Sequence, residues 1–405
     1  MTNFTDKKSL SVIIVGGGIG GLAAALALTR LGIEVTVLEQ SAQIAEIGAG
    51  VQLAPNAFAA LDALGVGENA RRRAVFTERL VMMDAVDGEE VASFPVGEAF
   101  RDRFGNPYAV IHRADIHSSI LEAVRELPSI KFVTDTRIVE MEEHGSKVTV
   151  IDAKGQRHTA DAVIGCDGVK SCIRDTLVGD APRVSGHVVY RAVVPVAEMP
   201  ADLRWNAPAV WVGPNCHLVH YPLRGAEQFN LVVTFHSREH ETWGVREGSK
   251  EEVMTYFTGI CDRPRQLLDA PTSWKRWSTA DRDPVEAWGR GRVTLLGDAA
   301  HPMLQYLAQG ACMAIEDAVT LGEAVKRCDF DLRAAFRLYE QCRITRTARV
   351  TMSAREMGRI YHAKGVERKV RNALWRNRSP ERFYDALEWL YGWSVDSCLD
   401  DEHRY

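Results

Sequence analysis

Apolar positions fall into two regimes along the chain, and the change between them is the first structural signal. In SVIIVGGGIGGLAAALALTRLGIEVTVLEQ, Val12 to Val15 form a β-branched run suited to a strand buried on both faces. Ala23 to Leu31 continue as a helix-forming run with Gly32 where a helix would end, and EVTVLE reads as a second strand. The short buried-strand pattern returns at Ala162 to Ile164, ahead of a Cys166-Asp167-Gly168 turn leading toward Ser171 and Arg174. It returns again at Val293 to Leu296, followed by Gly297-Asp298, a loop ending at Gly310 and a long apolar helix. Ala109 to Ile111 predicts a strand running into a helix that Arg113 opens, with Asp115 in its first turn. From about Thr77 to Pro95, and from Gly186 to His236, the period changes to short alternating stretches punctuated by Gly and Pro. That is the pattern of an antiparallel sheet with one solvated face. FDLRAAFRLYEQCRITRTARVTMSAREMGRIYHA reads as one long helix, its recurrent arginines expected on a solvated or subunit-facing side.

Between the first strand and helix, Gly16, Gly18 and Gly21 satisfy G-x-G-x-x-G. The spacing has a mechanical reason. Gly16 permits the tight turn, Gly18 lets backbone approach a pyrophosphate, and Gly21 lets helix and strand pack closely. Amides at the helix start then face the phosphates, and Glu39, closing the second strand, stands where an acid accepts from ribose hydroxyls. The fingerprint occurs once and does not itself separate NAD from FAD. Together these patterns predict an α/β fold with a Rossmann-like dinucleotide-binding domain, an inserted antiparallel-sheet substrate domain and a C-terminal helical region. The nucleotide-binding domain is expected in three parts, 1–76, 98–182 and 281–330. The substrate domain is expected at 77–97 and 183–280, and the helical region at 331–405.

Composition narrows the function classes. A chain of 405 residues exceeds the usual limit for one core, and 46% hydrophobic with 25% charged residues is ordinary for a globular protein. A net charge of −5 supplies no basic field, which argues against a nucleic-acid partner. The eight cysteines show neither CxxC nor zinc-site spacing, so no metal and no disulfide framework is expected and a reducing cytoplasm is the simplest location. MTNFTDKKSL lacks a signal-peptide core, and no apolar run is long enough for a bilayer span.

Three separated blocks, the Gly-rich start, the Asp-Gly turn and the Gly-Asp strand end, occur in the order found in the single-component flavoprotein aromatic hydroxylases, which this sequence resembles. Members bind FAD and consume NAD(P)H. The resemblance implies that Asp298 accepts from the FAD ribityl chain, and that Gly310 and Ala311 begin a helix aimed at the flavin pyrimidine edge. It implies that Pro302 lies beside the ring, with His301 positioning it, and that Arg113 meets FAD. It links Asp167 to the nicotinamide step and to FAD contacts. Gly48, Gly50 and Pro55-Asn56 match a backbone passing near the isoalloxazine edge. Gln52, placed with the cofactor residues, stands where some pyridine-hydroxylating relatives carry histidine, a departure that counts against a hydroxynicotinate substrate.

In NCHLVHYPLRG side chains alternate, so His217, Val219 and Tyr221 share one face while Leu218 and His220 share the other. Residue types alone leave His217 open between a hydrogen-bonded sheet histidine and a base. This segment, with GDAAHPMLQYLAQGACMAIEDA and WLYGWS, is similar to the 3-hydroxybenzoate 6-hydroxylase subfamily over essentially the whole chain. There, His217 and Gln305 would meet the phenolic end of a small aromatic acid and Tyr221 would be a third pocket residue. The implied reaction uses NADH and O2, passes through a C4a-hydroperoxyflavin, and places oxygen para to the phenol, giving 2,5-dihydroxybenzoate (gentisate). A base titrating near neutrality would take the phenolic proton, a task His217 suits and the amide of Gln305 does not. Salicylate or 6-hydroxynicotinate hydroxylation is the alternative within the class, and an FAD-binding dehydrogenase without oxygen insertion the alternative outside it. With no second dinucleotide fingerprint, the nicotinamide is expected to dock transiently, and NADPH stays open beside NADH. The sequence assigns neither Tyr190 nor Arg191 to the substrate carboxylate, and it is compatible with a homodimer.

Overall fold

A computed structural model describes residues 10–44 and 49–400; Gly48 lies outside the described residues. Five parallel strands form the first sheet, in the order Val293–Leu295, Ala162–Gly165, Ser11–Val15, Glu34–Leu38 and Ile130–Val133. Ile14, Val37 and Ile164 in its middle are fully buried, as their β-branched or apolar runs require. Helix Ile19–Thr29 is buried almost all round. Its small residues allow close approach: a side chain at Gly322 on helix Gly310–Arg327 would touch Ala27 at 3.4 Å. The strand expected through Leu296 ends at Leu295, because Gly297 at φ +63° turns the chain there.

The second large sheet has eight strands, ordered Val245–Gly248, Trp274–Asp281, Arg183–Pro195, Gln228–His236, Cys216–Leu223, Ala209–Gly213, Arg79–Asp84 and Glu90–Pro95. All neighbours are antiparallel except Ala209–Gly213 against Arg79–Asp84, which run parallel. The expected solvated face is absent from its centre. Strands Cys216–Leu223 and Gln228–His236 are buried on both sides, one packing Leu218 and Val233 onto Val253, Leu267 and Leu268, the other turned toward an internal cavity.

Two small sheets were not anticipated. Gly50–Leu53, Ala109–His112 and Val75–Phe76 form one. Ile138–His144, Lys147–Asp152 and Arg157–Ala160 form the other, with turns at Gly145 and Gly155, both at positive φ. The alternation in IVEMEEHGSKVTVIDAKGQRHTA carried the signal for this second meander.

Helix Leu332–Tyr361 starts at Asp331, whose Oδ1 accepts from the amides of Arg333 and Ala334 at 3.0 and 3.3 Å. Its arginines meet the expectation of a solvated face only in part: Arg333, Arg337, Arg349 and Arg359 are exposed, while three others turn inward. Arg343 is 1% exposed and pairs with Glu316 and Asp317, Arg346 pairs with Glu316, and Arg355 with Asp281 and Asp283. Helical period locates a stripe, but not the buried carboxylates opposite it. Among the described residues no helix is long and apolar enough to cross a membrane.

Candidate active site

Between the carboxyl ends of the parallel strands and the cavity face of the large sheet lies a space of about 1200 Å3. A site for one drug-sized ligand measures roughly 300–1,000 Å3, so a dinucleotide and a small acid fit together here. The strand-to-helix turns of a parallel sheet converge on such a crevice.

The glycine loop opens into it. Gly16 has φ +109°, and a Cβ there would stand 2.3 Å from the Cys166 carbonyl oxygen. A Cβ at Gly21 would stand 2.0 Å from the Gly16 oxygen. Gly18 is the N-cap of helix Ile19–Thr29 and lines the cavity. Glu39 accepts from Gly17 N at 2.7 Å and from Ser41 N at 2.8 Å, so it holds the loop as well as facing the cavity.

Two helices begin at this space, Ile19–Thr29 and Gly310–Arg327, and neither has a side-chain cap or an acid in its first turn. By contrast His112, Ser171, Ser249 and Asp331 cap other helices. Amides left open at both starts suit a ligand with a pyrophosphate at one end and an electron-accepting ring edge at the other. Asp298 is exposed into the cavity, its Oδ1 4.0 Å from where a Gly310 side chain would begin. Arg113, Gln52, Gly310 and Ala311 also line it. These features fit FAD.

Pro302 is buried and is not among the lining residues; the wall there is built from Met303 to Ala311. His301 is turned into the core, its Nε2 2.6 Å from Asp317 Oδ2. Burial alone would raise the Asp317 carboxyl, but His301 and Arg343 bring it down to about 2. Asp167 lines the cavity and caps helix Cys172–Leu177, accepting from Cys172 N at 2.9 Å. Burial raises its carboxyl above the ordinary range, and its Oδ1 has no hydrogen-bond partner among the described residues.

On the opposite wall the strand alternation separates the two histidines. His217, Val219 and Tyr221 face the cavity. His220 lies on the other face, beside Trp205, with Nε2 3.1 Å from the Leu203 oxygen. Tyr221 presses against Gly50, where a Cβ would meet its ring at 2.5 Å. Gln305 lines the cavity and donates from Nε2 to Thr234 Oγ1 at 3.3 Å. Gln52 accepts from Tyr108 OH at 2.5 Å. Burial, with His187 nearby, pulls His217 down to about 3, so its imidazole is neutral across the physiological range.

Sequence reasoning missed two contributors, Tyr108 and Tyr361, and left a third, Arg191, unassigned. Tyr108 and Tyr361 line the cavity, and Arg191 does so with its pKa lowered by burial. Arg191 sits in an alternating strand whose period marks it as facing one side, but not which side the cavity takes. The C-terminal helices also close this wall, through Met357, Trp389 and Tyr391.

A glycine-loop crevice sized for a dinucleotide, facing a sheet wall of imidazole, phenol and amide groups, defines a flavin-dependent oxidoreductase site. The FAD binding domain model matches residues 9–327. The 3-hydroxybenzoate 6-hydroxylases of Klebsiella oxytoca and Polaromonas naphthalenivorans (strain CJ2) are 63% and 64% identical, over 97% of this chain and 99% and 98% of theirs. Among solved structures, Klebsiella pneumoniae HpxO complexed with FAD and uric acid superposes with TM-score 0.83 at 27% identity, covering 98% of this chain and 99% of that one. The chain belongs to the FAD-dependent aromatic hydroxylases, single-component flavoprotein monooxygenases.

Proposed function

We propose that the protein hydroxylates 3-hydroxybenzoate para to its phenol, releasing 2,5-dihydroxybenzoate and consuming NADH and O2. Overall, substrate, O2, NADH and a proton become product, NAD+ and water. The observation that carries this reading is the convergence of His217, Tyr221 and Gln305 on the cavity that the glycine loop opens into. The full-length relatives of that name support the choice of substrate.

Bound FAD would supply reduction by the nicotinamide and activation of oxygen. Gly16, Gly18, Gly21, Glu39, Arg113 and Asp298 would hold it, with the amides beginning at Gly310 and Ala311 facing the ring. The chain's own part is to orient the acid and move one proton. An aromatic ring attacks electrophilic oxygen best as its phenolate, which activates the ortho and para carbons. Neutral His217 is in the right form to accept the phenolic proton. Gln305 would donate to the phenolate oxygen, and the buried Tyr221 hydroxyl would act as a hydrogen-bond donor, since burial raises its pKa and keeps it protonated.

The purified protein is expected to be yellow and to oxidise NADH faster with 3-hydroxybenzoate, 2,5-dihydroxybenzoate accumulating by chromatography. A panel including salicylate and 6-hydroxynicotinate fixes the substrate, because ring position fixes the product. His217→Ala is expected to keep FAD and to slow hydroxylation by about 100-fold or more. Unaltered turnover would move the base elsewhere. Protein that neither contains nor takes up FAD would remove the proposal.

A further inference from the structure

A second imidazole stands behind His217. His362 follows helix Leu332–Tyr361, and its Nε2 lies 2.8 Å from His217 Nδ1. It is 9% exposed and, unlike His217, is not part of the cavity wall. Its backbone is pinned on both sides, His362 N donating to Gly358 O at 3.2 Å and His362 O accepting from Asn215 N at 3.0 Å. The outer nitrogens of the pair, His217 Nε2 and His362 Nδ1, make no hydrogen bond among the described residues, yet neither is a buried, sealed-off atom. The pair therefore has one end at the cavity wall and the other at a residue that keeps 9% of its surface exposed.

The groups packed around His362 are few. The strand Arg183–Pro195 brings His187, whose ring centroid is 5.2 Å away and whose Nδ1 is 2.7 Å from Tyr306 OH. The end of strand Gln228–His236 brings His236, exposed and 5.1 Å from His187. Tyr306 lies at 5.8 Å, and Tyr361 is the preceding residue. Arg183 and Asp281 act on His187 from further out. None of the groups acting directly on His362 is a carboxylate.

We propose that His217 and His362 form a two-imidazole relay that carries the substrate's phenolic proton out of the cavity, an inference that rests on the hydroxylation reading above. In the starting tautomers His217 carries its proton on Nδ1 and His362 on its own Nδ1. The phenol O–H bond breaks and an N–H bond forms at His217 Nε2. The His217 Nδ1 proton passes to His362 Nε2, and the His362 Nδ1 proton leaves to water. One proton enters, one leaves, and both rings end neutral in the opposite tautomer; they are restored when His217 Nε2 returns its proton to the product's phenolate oxygen, His362 Nε2 passes its proton to His217 Nδ1, and water protonates His362 Nδ1.

This division of labour answers a difficulty that His217 alone would face. Burial holds His217 at about 3 and drives His362 well below its ordinary value, with His217, His187 and His236 adding to the effect. A lone base would have to store a positive charge where the site resists one, whereas a relay passes it on. His362 thus acts through His217 and does not touch substrate.

His362→Gln tests the relay, since a glutamine oxygen still accepts from His217 Nδ1 but cannot hand a proton onward. The holoenzyme variant is expected to match wild type in FAD content and to form product from 3-hydroxybenzoate at least roughly tenfold more slowly at pH 7. With a ring-fluorinated 3-hydroxybenzoate, whose phenol is more acidic, and with rising pH, the gap is expected to narrow. A variant as fast as wild type, or a gap equal for both substrates and at every pH, overturns the relay and leaves His362 with a structural part. If wild type makes no hydroxylated product at all, the reading of the reaction falls, and the relay with it.

Discussion

At the residue scale, Gly16 and Gly17 show how local geometry decides which glycine matters. A side chain at Gly16 meets backbone, the Cys166 carbonyl at 2.3 Å, from a left-handed conformation at φ +109°. Neither partner can give way, because Cys166 N is bound to Val15 O at 2.7 Å within the parallel sheet. A side chain at Gly17 meets only the Glu39 side chain, its Oε2 at 3.3 Å and its Cβ and Cγ at the ordinary contact distances of 3.5 and 3.6 Å. Gly16→Ala is therefore expected to cost about 1–3 kcal/mol in backbone strain alone and to yield protein with little bound FAD, read as flavin absorbance per chain. Gly17→Ala is expected to stay yellow. The loop was legible in the sequence because its spacing lies within one turn of chain. The His217 and His362 pair was not, since 145 residues separate its members and no periodicity links a strand to the residue after a distant helix.

At the element scale, the helix that would face the flavin is fixed from below by buried charge. Asn56 Nδ2 donates to Glu316 at 2.6 Å, and Arg343 reaches Glu316 and Asp317 at 2.6 Å each. Arg346 adds two contacts to Glu316 and donates to the carbonyls of Trp389 and Leu390, which tie the C-terminal helix to the same point. Each partner alone would be expensive to bury, and removing one strands the rest. Arg343→Met is expected to lower stability by about 3 kcal/mol or more in denaturant titration. Arg349 is exposed and only lies over the Trp389 ring at 4.1 Å, so Arg349→Met should change stability by about 1 kcal/mol or less. Similar losses in both would show that the buried network does not anchor the helix. The sequence announced both the helix after Gly310 and the arginine-rich helix, because each is strongly periodic. It could not announce their docking, which depends on carboxylates meeting guanidinium groups about 26 to 30 residues away.

At the scale of the whole molecule, the cavity is complete only when the C-terminal helices sit against the large sheet, and Asp84 is where they are joined. It ends strand Arg79–Asp84, is fully buried, and accepts from Arg368 Nε at 2.7 Å, Asn372 Nδ2 at 2.6 Å and Arg371 Nη2 at 3.1 Å. Those three residues belong to helix Gly365–Trp375, and Trp375 and the following helix Pro380–Tyr391 line the cavity. Burial pushes the Asp84 carboxyl up, but hydrogen bonds from Arg368, Asn372 and Val86 outweigh it, and the pKa lies below its ordinary value. A carboxyl lowered on folding contributes stability in full above its unfolded pKa of about 3.9 and loses it as pH falls through the folded value. Comparing wild type with Asp84→Asn separates this link from other carboxylates, which titrate equally in both. The wild-type advantage in unfolding midpoint is expected to be constant from pH 8 to pH 5 and to shrink below about pH 4. The fluorescence of Trp375 and Trp389 should report the helices loosening over that same acid range. An advantage that persists unchanged into acid would mean that the carboxylate's charge does not hold the C-terminal helices over the cavity.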